Sequence, residues 1–347
     1  KKQNIKSMYQ VKKEVLSSVF YPAFLIFTTI LLLSSAASNS NGHGFPFDIA
    51  YAHSATISVG IAPYGIKYNP SNENIYVANV HSSTVSVIGG STNSVIDTVL
   101  VGRLPVWLEY VPTNNQLYVT NLLSNDTYVI NGLTNEVVKT ITVGRMPWGL
   151  AYDPVNNSIY VHNTEDDTVS VIDIAADNVT STIPLFSGSG LPGANIIAYS
   201  SINDALYLSR HQHGVVSVIN AATNAHVKDI TVNDGPAGIT YNPVNHNLYV
   251  ARFGSNQVSV IDTITNTVVD NITVGNNPVD IVYNPINHNM YVTNHGSNTV
   301  TVIDSTTNSV TANIPAGGSP FGITFDSTRE HIYITNPFSN TVTMIHP

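Results

Sequence analysis

A proline and a tyrosine recur along most of this chain at nearly fixed intervals, and that period limits the fold more than any single motif does. The prolines are Pro63, Pro105, Pro147, Pro192, Pro236, Pro278 and Pro320, and the tyrosines are Tyr76, Tyr118, Tyr160, Tyr207, Tyr249, Tyr291 and Tyr333. Successive tyrosines stand 42, 42, 47, 42, 42 and 42 residues apart, the long interval falling at the join 185–192. Inside one unit, residues 278–317, four short apolar or alternating runs are separated by turns rich in Asn, Pro, Gly and Ser. Period-two runs bounded by such turns predict strands of five or six residues. Asn supplies side-chain acceptors to the turn backbone and tolerates positive φ, while Pro285 presets φ for the turn that Asn284 opens. Four antiparallel strands repeated seven times predict an all-β chain, a seven-bladed β-propeller of four-stranded antiparallel blades.

The ring also has a predicted seal. The last unit carries three strands and stops, whereas residues 55–60, ahead of the first proline, match the fourth strand at 139–144. The N-terminal strand is therefore expected to complete the last blade, which removes a free sheet edge.

Composition agrees and excludes several chemistries. Only 10% of the residues are charged, which suits sheets packed on both faces, and there is no cysteine. Disulfides, thiolate metal sites and cysteine nucleophiles are thereby excluded. Beyond Ala37 there are 8 basic against 21 acidic residues, a net charge of −13. Such a surface repels phosphate backbones, so nucleic acid is not an expected partner.

Residues 1–37 read as an export segment. Lys1, Lys2, Lys6, Lys12 and Lys13 precede an apolar run from Val15 to Leu33, and small residues at Ser35, Ala36 and Ala37 follow. This is the layout of a cleavable leader, with a retained membrane anchor as the alternative. Residues 38–53 read as a linker and 54–347 as the propeller. The expected location is extracytoplasmic: secreted, periplasmic or surface-anchored. Sequons at Asn125, Asn156, Asn178 and Asn271 add little in so Asn-rich a chain.

The repeat resembles that of the YVTN β-propeller family. The tetrapeptide stands as Tyr291-Val-Thr-Asn294 and Tyr118-Val-Thr-Asn121, with variants at residues 76–79, 160–163 and 333–336. A Thr-Val-Ser-Val-Ile-Asp type strand and a Val-Gly-x-x-Pro junction accompany it. The resemblance covers residues 54–347 and implies a surface or periplasmic propeller, with function only by analogy.

Departures from the repeat mark the candidate sites. Junction loops and the loops between second and third strands share one face of a propeller, here named the top face. Arg210 and Arg252 replace the Asn of the tetrapeptide in units four and five, and His211, His213 and Phe253 follow them. With His295 they offer forked donors for an anion and imidazoles for acid–base work. Tyr64, Trp107, Trp148 and Phe321 follow the junction prolines, where they either contact a ligand or fill the channel. Residues 165–167 form an acidic loop near His162 and Asp126, more in keeping with a solvated turn than with calcium. His246 and His288 read as turn surface, and the Asn of the tetrapeptide as a cap on backbone groups.

No phosphate loop, nucleophile elbow or zinc-helix motif is present. No cofactor is expected and no metal site is assigned, although His211 and His213 have metal-ligating chemistry. The expected role is a non-catalytic binding module at the cell surface, with another protein or a surface polymer as partner and membrane contact only through an uncleaved N-terminal segment. The alternative is a propeller enzyme, a lactonase-like hydrolase or a lyase, using Arg210, His211, His213, Arg252 and His295.

Overall fold

The computed structural model describes residues 53–185 and 194–347. The expected leader, the linker up to residue 52 and most of the long join lie outside the described residues.

Seven four-stranded antiparallel sheets follow one another along the chain. The seventh is made of Ile323–Asp326, His331–Asn336, Thr341–Ile345 and, from the other end of the chain, His53–Ser58. Ile57 lies opposite Val342 in that sheet, so the expected closure is present. Blades are numbered here from one, beginning at Pro63.

Burial explains why the inner strands do not alternate. The second and third strands of each blade are covered on both faces by neighbouring blades, as in Asn289–Asn294, where five of six residues are buried. Such strands carry runs of Val, Ile and Tyr. The fourth strand is the outer one, and Ser309–Pro315 buries a single residue, Ile314. Most turn residues at positive φ are Asn or Asp, the side chains that tolerate it best.

Three positions of the tetrapeptide bind the ring together. The tyrosine is buried, and in five blades it donates its hydroxyl proton to an Asn of the next blade. Tyr76 reaches Asn135 at 2.7 Å, Tyr207 reaches Asn266 at 2.6 Å, and Tyr249 reaches Asn308 at 2.8 Å. Tyr333 reaches Asn93 of blade one at 2.7 Å and so spans the closing seam. The third position bolts the inner strands: Thr120 donates to the Trp148 carbonyl at 2.6 Å and Thr293 to the Phe321 carbonyl at 2.7 Å.

The Asn does something other than cap backbone groups, which corrects the expectation. Asn294 donates to Thr299 at 3.1 Å and Thr301 at 2.8 Å, stapling the second strand to the third. Asn79 and Asn163 do the same in blades one and three. The junction glycine exists to admit this Asn. A Cβ on Gly275 would lie 2.6 Å from Asn294, and one on Gly144 would lie 2.5 Å from Asn163.

Candidate active site on blades three to five

The site is built where the bolt of blade three and the staple of blade four are both replaced. At the third position of the tetrapeptide, blade three has His162 in place of a bolting Thr. In its top turn, Asp167 stands at the position held by Asn125, Asn256 and Asn298 elsewhere, where the Asn oxygen accepts a junction amide. In blade four, Arg210 replaces the stapling Asn. Arg210 is 2% exposed and forms an ion pair with Asp167, 43 residues earlier. Burying a guanidinium is tolerable only with such a partner.

His162, Thr164, Asp167, Asn195, Arg210, Gln212 and His213 enclose a cavity of about 10 Å³, room for one water molecule. His162 is 3% exposed, and neither ring nitrogen has a hydrogen-bond partner. Burial, then the Arg210 charge, then His213 push its pKa from 6.5 down to about 3, so it stays neutral.

A larger pocket of about 380 Å³ opens beside this cavity between blades four and five. His211, Gln212, Asp234, Gly235, Phe253 and Gly254 line it, so Gln212 belongs to both walls. The His211 ring is set edge-on to Phe253, with centroids 6.0 Å apart. Its backbone N–H donates to Asn195 at 2.8 Å. Gly235 takes φ +65° and lies so close that an added Cβ would be 2.8 Å from the ring. Burial, only partly offset by the backbone at Pro236 and Gly235, lowers the His211 pKa, and Nδ1 has no partner.

The expected working set does not converge on one pocket. Arg210 and His213 face the small cavity, while His211 and Phe253 face the large one. Arg252 lines neither: it is held by Asp234, by Gln257 at 3.0 Å and by Asn271 at 3.0 Å. Blade five also trades its junction glycine for Asn233, which Arg252 permits because no stapling Asn needs the space. His295 packs against Phe321, 6.4 Å away, and Phe338, 5.8 Å away, while Tyr64 stacks on Phe321 at 4.3 Å. These form a separate aromatic group on blades six, seven and one. Trp107 and Trp148 are buried in the blade walls. The acidic loop is divided, Glu165 and Asp166 pairing with Arg145 and Asp167 with Arg210. His246 and His288 bond to Tyr241 and Tyr283 through Nδ1, at 3.0 and 2.8 Å.

His162, Thr164, Asn195 and Asp234 are site residues that the sequence reading did not assign. Asp167 was seen only as part of an acidic run. Its usable signal was the exchange of Asn for Asp one blade ahead of the exchange of Asn for Arg.

With the site in view, comparison with known proteins is informative. Residues 47–323 match the family described as YNCE-like beta-propeller. The chain belongs to that family. No curated protein matches it. Among solved structures, Kuenenia stuttgartiensis hydrazine synthase is 18% identical with a TM-score of 0.74, covering 88% of this chain and 99% of that one. Virginiamycin B lyase from Staphylococcus aureus is 16% identical, with a TM-score of 0.72 and coverages of 84% and 99%. A catalytically inactive histidine-to-alanine form of that lyase, with quinupristin, is 17% identical with the same TM-score and coverages. At these identities the likeness shows the fold. The expectation of a non-catalytic binding module is corrected by these matches, which are to a synthase and a lyase built on the same fold.

Proposed function

We propose that this protein is a propeller enzyme of lyase type, working by acid–base chemistry on a substrate held in the 380 Å³ pocket between blades four and five. The observation that carries this reading is His211, an imidazole fixed in the wall of that pocket, with a buried Nδ1 that has no hydrogen-bond partner. An elimination needs a base to take a proton from the carbon beside the departing group. The released electron pair forms the double bond, and the departing atom must be protonated. One histidine can perform both transfers in turn, first as base and then as acid. The Arg210–Asp167 pair in the adjoining cavity sets the residues before His211, and Gln212 is placed to orient substrate. The lyase likeness supports the class, and the inactive histidine variant of that lyase supports a histidine as its centre.

Incubating the full chain with virginiamycin B, quinupristin and a panel of lactones and esters, with products read by mass spectrometry, tests the reading. A ring-opened product of unchanged mass from a lactone, or a product pair whose summed mass equals an open-chain ester, marks elimination, and a gain of one water marks hydrolysis. His211→Ala is expected to lower kcat by about 10²-fold or more while the fold is retained. No turnover across the panel, or full turnover by His211→Ala, would sink the proposal.

The YVTN repeat type and an extracytoplasmic location belong to the same proposal, supported by the tetrapeptides and by the leader-like residues 1–37. So do partners of that compartment, another protein or a surface polymer.

A further inference from the structure

On the face opposite the candidate site, two histidines meet at the ring-closing blade. His331 opens the second strand of blade seven, and His346 follows directly after the third. Ile332 pairs with Ile345, so the register sets His331 opposite His346 across the ladder. Their Nε2 atoms are 2.9 Å apart, with ring centroids at 4.1 Å and planes at 87°. Two imidazoles bonded head-on along their axes would hold their centroids about 5 Å apart. The shorter separation and the near-perpendicular planes set one ring edge-on to the other, with the two Nε2 atoms as the nearest approach.

We propose that His331 and His346 form a chelating site for a divalent transition metal, with copper(II) or nickel(II) preferred over zinc. Two nitrogens 2.9 Å apart, each about 2.0 Å from a shared ion, subtend an angle of about 90° at the metal. That is the angle between neighbouring ligands in square-planar or octahedral coordination, the geometries of copper(II) and nickel(II). Tetrahedral zinc would need the pair about 3.3 Å apart. The remaining positions would be filled by water, since the described residues contain no group of three metal-ligating side chains. The nearby cation Arg329 is paired with Glu73 and with Asp326. The metal would cross-link the second and third strands of the blade that closes the ring, so binding would stabilise the fold by mass action.

The test is calorimetric titration of the untagged full chain with copper(II), nickel(II) and zinc(II), together with the copper electron paramagnetic resonance spectrum. One copper per chain with two equatorial nitrogens is expected, and nickel should bind more tightly than zinc. His331→Ala and His346→Gln should each weaken copper binding about tenfold or more and abolish the two-nitrogen spectrum. His246→Ala and His213→Ala should leave both unchanged. Thermal melts of the variants without metal verify that the blade is still folded. Copper binding unaltered in the double variant, or zinc bound in preference to nickel, would overturn the site.

Discussion

Blades four and six share a backbone plan and differ in what their tetrapeptides hold. In blade six, Asn294 staples two strands, Thr293 bolts the next blade and Gly275 makes room for the staple. Every contact is short-range and neutral. At the seam between blades three and four the bolt position carries His162, the staple position Arg210 and the top-turn position of Asn298 carries Asp167, and these form an ion pair and a cavity instead. The repeat is a scaffold code, and the seam shows what it costs to depart from it: a buried cation that depends on an acid in another blade.

The contrast breaks most readily at Arg210. Arg210→Ala strips Asp167 of its cationic partner and should destabilise the fold by about 3–5 kcal/mol. Asn294→Ala in blade six should cost about 1–2 kcal/mol. Equal losses in urea denaturation would mean that the ion pair is no more than a long staple.

The two regions should also respond oppositely to pH. His162 has its folded pKa lowered from 6.5 to about 3, chiefly by burial. Its contribution is therefore complete above pH 6.5 and is lost as pH falls toward 3. Asp280, on the inner strand of blade six, is also buried, and burial raises its pKa from 3.8 to about 7 against the pull of the Ile323 and Ile281 amides. Its contribution is complete below pH 3.8 and is lost as pH rises through about 7. Each effect is on the order of a few kcal/mol at its limit. Stability measured against pH should lose its acid slope in His162→Leu and its slope between pH 4 and 7 in Asp280→Asn. An unchanged profile in either variant would remove that group from the account.

Blade five offers a reversal. Arg252→Asn alone restores the stapling Asn against Asn233, where the repeat has glycine, and should cost about 1–3 kcal/mol by overpacking. Adding Asn233→Gly should recover most of that loss, giving a coupling energy visible in a double-mutant cycle. Independent effects of the two changes would show that Arg and Asn entered blade five separately. The smallest effect belongs to the tyrosines that reach the next blade. Tyr207→Phe leaves Asn266 without its donor and should lower stability by about 1 kcal/mol.

Blade number, strand limits and ring closure were legible in the sequence because each unit repeats the same local instruction. The site was legible only in part. Arg210 and Arg252 stood out as exchanges, but their partners Asp167 and Asp234 come from a different blade and a different junction. Such pairings follow from packing between units, which a repeat read along the chain does not display. His162 was hidden for the same reason, since a His in place of a bolting Thr resembles tolerated variation until the cavity beside it is seen.

The seal between Ile57 and Val342 has a temporal meaning as well. The first strand of the ring is made when almost none of its partner exists, and it must wait through the synthesis of six blades before it has anything to pair with. Contacts of such long sequence separation form late and slowly. Until then the chain has two open sheet edges, one at each end, and an interrupted chain keeps both. Completion of the last blade is thus the step at which this protein ceases to be a template for its own aggregation.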